Sequence, residues 1–200
     1  MKTAWFFVYP DVSACSFMPV YHRLGAAFLE KWLEDSLHWQ KKIFTSVSDL
    51  KNHSFFVVVQ DDDARIAQVR KLFAQKPAVT VKMEFAPPDS FERRAAGIFE
   101  KYGSRFDRVL VSNPESPLLS TDDYLKLQKR ELDAVKTPLG RSLVLTGKQT
   151  PERVKILPGL YDLRSVSDIL KELATGRHDF YEEISARLGA TLESLSHRQS

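Results

Sequence analysis

Cysteine is almost missing from this chain of 200 residues: Cys15 stands alone, which excludes an internal disulfide and any zinc site built from several cysteines. Stability therefore rests on packing, and a reducing compartment suits the chain. Long apolar runs are missing too. Nowhere do roughly 18 apolar residues follow one another, so no membrane span is expected. The opening run Ala4 to Tyr9 is too short for a signal-peptide core, and Pro10 and Asp11 follow it in place of small cleavage-site residues. It reads as a buried strand, with the cytoplasm as the expected location. Neither sign of charge dominates, since 29 Lys and Arg face 26 Asp and Glu, and without a basic stripe nucleic-acid binding is not expected. Glycine is scarce as well. None of the 8 glycines falls between Pro10 and His22, so the loop after the first strand lacks the close-approach backbone of a phosphate-cradling loop.

What is present is an ordinary globular composition, 43% hydrophobic and 11% aromatic, sufficient for one core and read as a single domain over residues 1–200. Short β-rich runs alternate with amphipathic helices, which predicts a three-layer α/β/α domain with a mainly parallel sheet. The expected strands are Ala4 to Tyr9, Ser54 to Val59, Val79 to Glu84, Arg108 to Ser112 and Ser142 to Leu145, with a sixth around Val154 to Leu157. Leu24 through Trp39 places Phe28, Leu29, Trp32, Leu33 and Leu37 on one helical face. Asp61, Asp62 and Asp63 precede a helix carrying Ile66, Val69 and Phe73, and read as dipole-compensating acids rather than as a cation site. Asp89 and Glu92 form a capping-box pattern ahead of a helix that Gly103 ends. Ser120 or Thr121 caps another, expected to run to about Val135, after which Thr137 to Gly140 turn the chain back to the sheet. Ser165 caps a helix with Val166, Ile169, Leu170 and Leu173. A last helix, residues 179–197, carries Ile184, Leu188, Leu192 and Leu195, a stripe that either closes the core or faces a partner, a homodimer mate included.

Ligands of open parallel sheets sit at the carboxyl ends of strands. After the first strand come Ser13 and Ser16, then Arg23, a phosphate contact if it lies at a helix N-terminus. After the fourth come Asn113 and Glu115, an amide and an acid delivered to the sheet edge. Between Ser142 and Pro158, Lys148, Arg153 and Lys155 are the anion-seeking groups. The histidines show no zinc spacing, no G-x-S-x-G surrounds a serine, and no catalytic residue is assigned.

The segment Asp89 to Leu125, with Phe91, Glu92, Tyr102, Arg108 to Ser112 and Glu115-Ser116-Pro117-Leu118-Leu119, resembles the spore-coat polysaccharide and acylneuraminate-type cytidylyltransferases of the nucleotide-diphospho-sugar transferase superfamily. Arg23 to Leu29 is similar to the family's Arg-Leu-Pro-Gly-Lys segment, and Asp162 to Ile169 to its terminal Asp-Leu-Asp-Thr-Pro-Glu-Asp-Leu signature. The resemblance implies a nucleotidyltransferase-like protein of sugar activation and polysaccharide biosynthesis, binding a nucleotide or nucleotide-sugar through Ser13, Ser16, Arg23, Asn113 and Arg164. It also implies a magnesium ion on Glu115, where the family has an Asp. The departures count against that ion: the family's phosphate-binding Lys falls on Ala27, and its second metal Asp falls on Arg164, which offers a phosphate a guanidinium instead. The alternative is a catalytically inactive member serving as a binding or assembly module.

Overall fold

The computed structural model describes residues 1–9, 19–47, 52–59, 67, 79–82, 90–113, 115 and 119–157. The strands are β1 (Thr3–Val8), β2 (His53–Val59), β3 (Val79–Lys82), β4 (Arg108–Ser112), β5 (Ala134–Lys136), β6 (Ser142–Leu145) and β7 (Val154–Ile156). The helices are α1 (Pro19–Val47), α2 (Phe91–Tyr102) and α3 (Thr121–Gln128). The strands form one seven-stranded sheet in the order β3-β2-β1-β4-β6-β5-β7. Pairs β1/β2, β1/β4, β2/β3 and β5/β7 are parallel, while β6 runs antiparallel to β4 and β5.

A central parallel strand is covered on both faces, which is why β1 is apolar at five consecutive positions after Thr3 and wholly buried. Strand alternation then sorts its side chains. Trp5 and Phe7 join Phe55, Val57 and Leu110 on one face, with Leu37, Ile43 and Phe44 of α1 and Tyr124 and Leu127 of α3. Ala4, Phe6 and Val8 join Val58, Val109 and Val111 on the other, against Ala95, Ile98 and Phe99 of α2. The three-layer α/β/α expectation thus holds. Aromatic contacts lock both layers: Trp5 stacks on Tyr124 with ring centroids 4.6 Å apart, and Phe6 on Phe56 at the same spacing.

Helix α1 is longer than its expected Leu24 to Trp39. The buried stripe Leu29, Trp32, Leu33, Ser36, Leu37 and Gln40 continues into Ile43 and Phe44 at helical spacing, and the helix runs on to Val47. It is interrupted once, at Gly25 (φ 77°, ψ 171°), a backbone conformation that side chains disfavour although a Cβ there would meet no neighbour within 4 Å. The cap of α2 is Ser90, whose hydroxyl accepts from the Arg93 N–H; Asp89 lies outside the described residues. Gly103 does end α2, in a right-handed conformation that leads into a 3₁₀ turn over residues 103–105.

One expected helix is shorter than predicted. Ser120 caps α3 in a reciprocal capping box with Asp123, but the helix stops at Gln128 and Val135 lies in β5. The reversal turns on Arg130, which takes φ 64°, and on Arg108 in β4, whose guanidinium donates to the Leu127 carbonyl from Nε at 3.0 Å and Nη2 at 2.6 Å and to the Leu132 carbonyl at 3.3 Å. A cation on the last carbonyls of a helix also meets the negative end of its dipole. The helices expected at residues 66–73, 165–175 and 179–197 fall outside the described residues, apart from residue 67. Among the described residues no helix is long and apolar enough to cross a membrane.

Candidate functional site

The sheet delivers its chemistry where β4 ends, beside the carboxyl end of β1. The Asn113 N–H extends the ladder by donating to the Leu143 carbonyl at 3.0 Å. Beneath it runs a buried polar relay. The Trp5 indole N–H donates to Ser112 Oγ at 2.7 Å, the Ser112 hydroxyl donates to Gln40 Oε1 at 2.9 Å, and the Gln40 amide donates to the Asn113 carbonyl at 3.1 Å. Helix α1 holds the following residues from the same side: Trp32 Nε1 donates to the Glu115 carbonyl at 3.3 Å and Trp39 Nε1 to the Leu119 carbonyl at 2.8 Å. Three side chains of one helix therefore anchor the chain after β4. Satisfied polar groups of this kind fix a unique arrangement in a low-dielectric interior.

Asn113 turns the backbone locally. Its Oδ1 accepts from the Glu115 N–H at 2.8 Å while its Nδ2 donates to Glu115 Oε1 at 3.1 Å, so amide and acid form one unit. Arg141 completes it. The β5–β6 turn places Pro138 at the second position, closes with the Gly140 N–H on the Thr137 carbonyl at 2.9 Å, and needs Gly140 at φ 81°. That turn lays Arg141 Nη2 2.8 Å from Glu115 Oε1. The two partners differ in access: the Arg141 side chain is 38% exposed and that of Glu115 only 8%. Of this pair at the end of β4, the guanidinium is the more accessible partner.

This arrangement bears on the magnesium ion expected on Glu115. A divalent charge about 5 Å from a guanidinium is opposed by roughly 1.7 kcal/mol when fully hydrated and by about 7 at an effective dielectric near 20. Hard ions also want several oxygen ligands. Among the described residues, no three His, Cys, Asp or Glu side chains gather to hold a metal. The described donor set therefore does not suit magnesium.

Of the other expected groups, Ser13, Ser16 and Arg164 lie outside the described residues, and Arg23 belongs to α1 with its side chain outside them. Asn113 and Glu115 are brought together. Arg153 is spent on Asp133, with Nη2 to Oδ1 at 2.8 Å, and Lys155 on the buried Asp123 at 2.6 Å. The Arg153 hydrogen bond is the main reason the Asp133 carboxyl sits below its ordinary range. Lys148 is differently placed. With Lys136, Ser142 and Gln149 it lines a cavity of about 260 Å³ between α2 and the β5–β6 hairpin, floored by Ala96, Phe99 and Leu145. Glu92 stands at that cavity too. Burial pushes its carboxyl up, but the N–H groups of Glu92 and Ser142 and the hydroxyls of Ser142 and Ser90 outweigh burial and hold it below the usual value. Sequence reasoning missed Arg141 and Gln40, and read Trp32 only as part of the apolar face of α1. The only signal for Arg141 was its place one residue past the Thr-Pro-Leu-Gly turn.

No protein-family model matches the chain, and no curated protein does. Among solved structures, one from Desulfovibrio desulfuricans, classed provisionally as a nucleotide-diphospho-sugar transferase, superposes with a TM-score of 0.66 at 11% identity, covering 96% of this chain and 98% of that one. The chain has the nucleotide-diphospho-sugar transferase fold. Two further structures overlap this fold more loosely. A Leptospira borgpetersenii cytidylyltransferase gives a TM-score of 0.46 at 12% identity over 96% of both chains. The 4-diphosphocytidyl-2C-methyl-D-erythritol synthase of Anaerococcus prevotii gives 0.45 at 14% identity, over 86% of this chain and 97% of that one. Neither carries weight beyond the fold already assigned.

Proposed function

We propose that this chain binds a nucleotide or nucleotide-sugar at the carboxyl edge of β1 and β4, as a nucleotidyltransferase-like protein of sugar activation and polysaccharide biosynthesis. The observation that carries this reading is the assembly of Asn113, Glu115 and Arg141 at the end of β4, where open parallel sheets place their ligands. In this reading Asn113 supplies hydrogen bonds, Arg141 faces the phosphates, and Ser13, Ser16, Arg23 and Arg164 complete the nucleotide site. Lys136 and Lys148 then receive the anionic end of a second, small substrate in the cavity against α2.

A second reading is a non-catalytic member of the fold acting as a binding or assembly module. The ion pair on Glu115 favours it, because a carboxylate committed to a guanidinium is a poor metal ligand. Both readings meet in one experiment: thermal unfolding with CTP, UTP, GTP, ATP and sugar nucleotides, each with and without magnesium. A ligand at about a hundredfold its Kd adds about 2.7 kcal/mol. For a chain of this size that raises Tm by roughly 5 to 11 °C. No shift with any of them overturns nucleotide binding and leaves the assembly module standing.

A further inference from the structure

We infer that Arg141 takes the place of the metal ion in this chain, so that phosphate binding at the β4 edge is metal-independent. The inference rests on the nucleotide-binding reading above and adds to it the identity of the cation. Three observations carry it. The guanidinium lies 2.8 Å from Glu115 Oε1, the oxygen to which Asn113 Nδ2 also donates at 3.1 Å, so that oxygen already holds a positive charge and a neutral donor. The carboxylate is enclosed while the guanidinium side chain is 38% exposed, so of the two partners Arg141 is the one a ligand can reach. The turn that presents Arg141 is itself fixed: the Thr137 N–H donates to the Arg141 carbonyl at 2.8 Å and the Arg141 N–H to Thr137 Oγ1 at 3.3 Å. A guanidinium on a fixed backbone, anchored by a buried carboxylate, is a preorganised phosphate ligand, and it delivers charge without the several oxygen ligands that a divalent ion requires.

The test is isothermal titration of the full chain with CTP, UTP, GTP, ATP and inorganic pyrophosphate, each in EDTA and in magnesium chloride. For a probe that binds, the expected result is the same affinity in both buffers within about threefold. Arg141→Gln should weaken that binding about ten- to a hundredfold, the loss of a charge-assisted phosphate contact. Glu115→Gln removes the carboxylate that anchors Arg141 and should weaken binding equally in EDTA and in magnesium, whereas a metal held on Glu115 would confine the loss to the magnesium arm. Circular dichroism and the unliganded Tm show that each variant is folded, and the EDTA arm on the parent chain needs no variant. Binding that requires magnesium, or that survives Arg141→Gln undiminished, overturns the inference while the nucleotide reading stands. No binding of any probe by the parent chain overturns both.

Discussion

Replacing Ser112 by Ala removes one oxygen from the molecule yet strips two other groups of their partners. The Trp5 indole N–H and Gln40 Oε1 both rely on Ser112 Oγ, and all three residues are essentially inaccessible to solvent. Water cannot substitute for the lost hydroxyl without opening the layer between β4 and α1. A buried polar group left unsatisfied costs about 1 to 3 kcal/mol, so the pair predicts a loss of about 2 to 6 kcal/mol. For a domain of this length, 1 kcal/mol corresponds to about 2 to 4 °C, hence a fall in Tm of roughly 4 to 24 °C. Urea unfolding of the parent and Ser112→Ala, with equal m-values, measures the difference directly. The double variant Gln40→Met/Ser112→Ala removes one orphaned acceptor, so its loss should be less than the sum of the single losses by about 1 kcal/mol or more. A Ser112→Ala loss under about 0.5 kcal/mol, the value of an ordinary surface change, would refute the relay. Strict additivity would do the same.

Two further predictions concern the frame around the site. Arg108→Met leaves the Leu127 and Leu132 carbonyls without their cationic donor and should cost about 2 to 4 kcal/mol in urea unfolding; a loss under about 1 kcal/mol would show that the guanidinium does not hold the end of α3. Its own pKa, lowered first by burial and then by the Arg130 charge, leaves it protonated at any working pH. Glu92 supplies the pH test. Its folded pKa is depressed, so the stabilisation is present above the unfolded value near 4.5 and is lost as pH falls through the folded value. Glu92→Gln should be less stable than the parent by about 1 kcal/mol at about pH 7, a figure kept small by partial solvent exposure, and equal to it near pH 2. A gap that stays constant across that range contradicts the assignment.

The parts of this fold that were legible in the sequence are those whose cause is local. β1, β2 and β4 read as strands because a parallel strand covered on both faces must be apolar in succession, and β4 was placed to the residue. The Thr137 to Gly140 turn read correctly because Pro and Gly restrict the backbone wherever they stand. The continuation of α1 through Ile43 and Phe44 was written in the same periodicity and simply runs past Trp39. β5 was not legible. Three residues, Ala134 to Lys136, prolong the apolar spacing of the helix before them, and what ends that helix is Arg108, 19 residues earlier in the chain. At the site the sequence pointed to Asn113 and Glu115 through their place after an apolar strand, but the partner that changes their chemistry lies 26 residues away, in the turn that leads into antiparallel β6. Antiparallel pairing of β6 with β4 leaves no mark in the composition of either.

The anchoring of the β4 edge by Trp32, Trp39 and Gln40 makes that edge a property of α1 as much as of the strand. Anyone grafting residues 113–119 onto another scaffold would have to carry this stretch of helix along, because the segment on its own has lost its external hydrogen-bond donors. For the same reason, diversity introduced by directed evolution should be tolerated on the solvent side of α1 and selected against at these three positions even when no ligand is present.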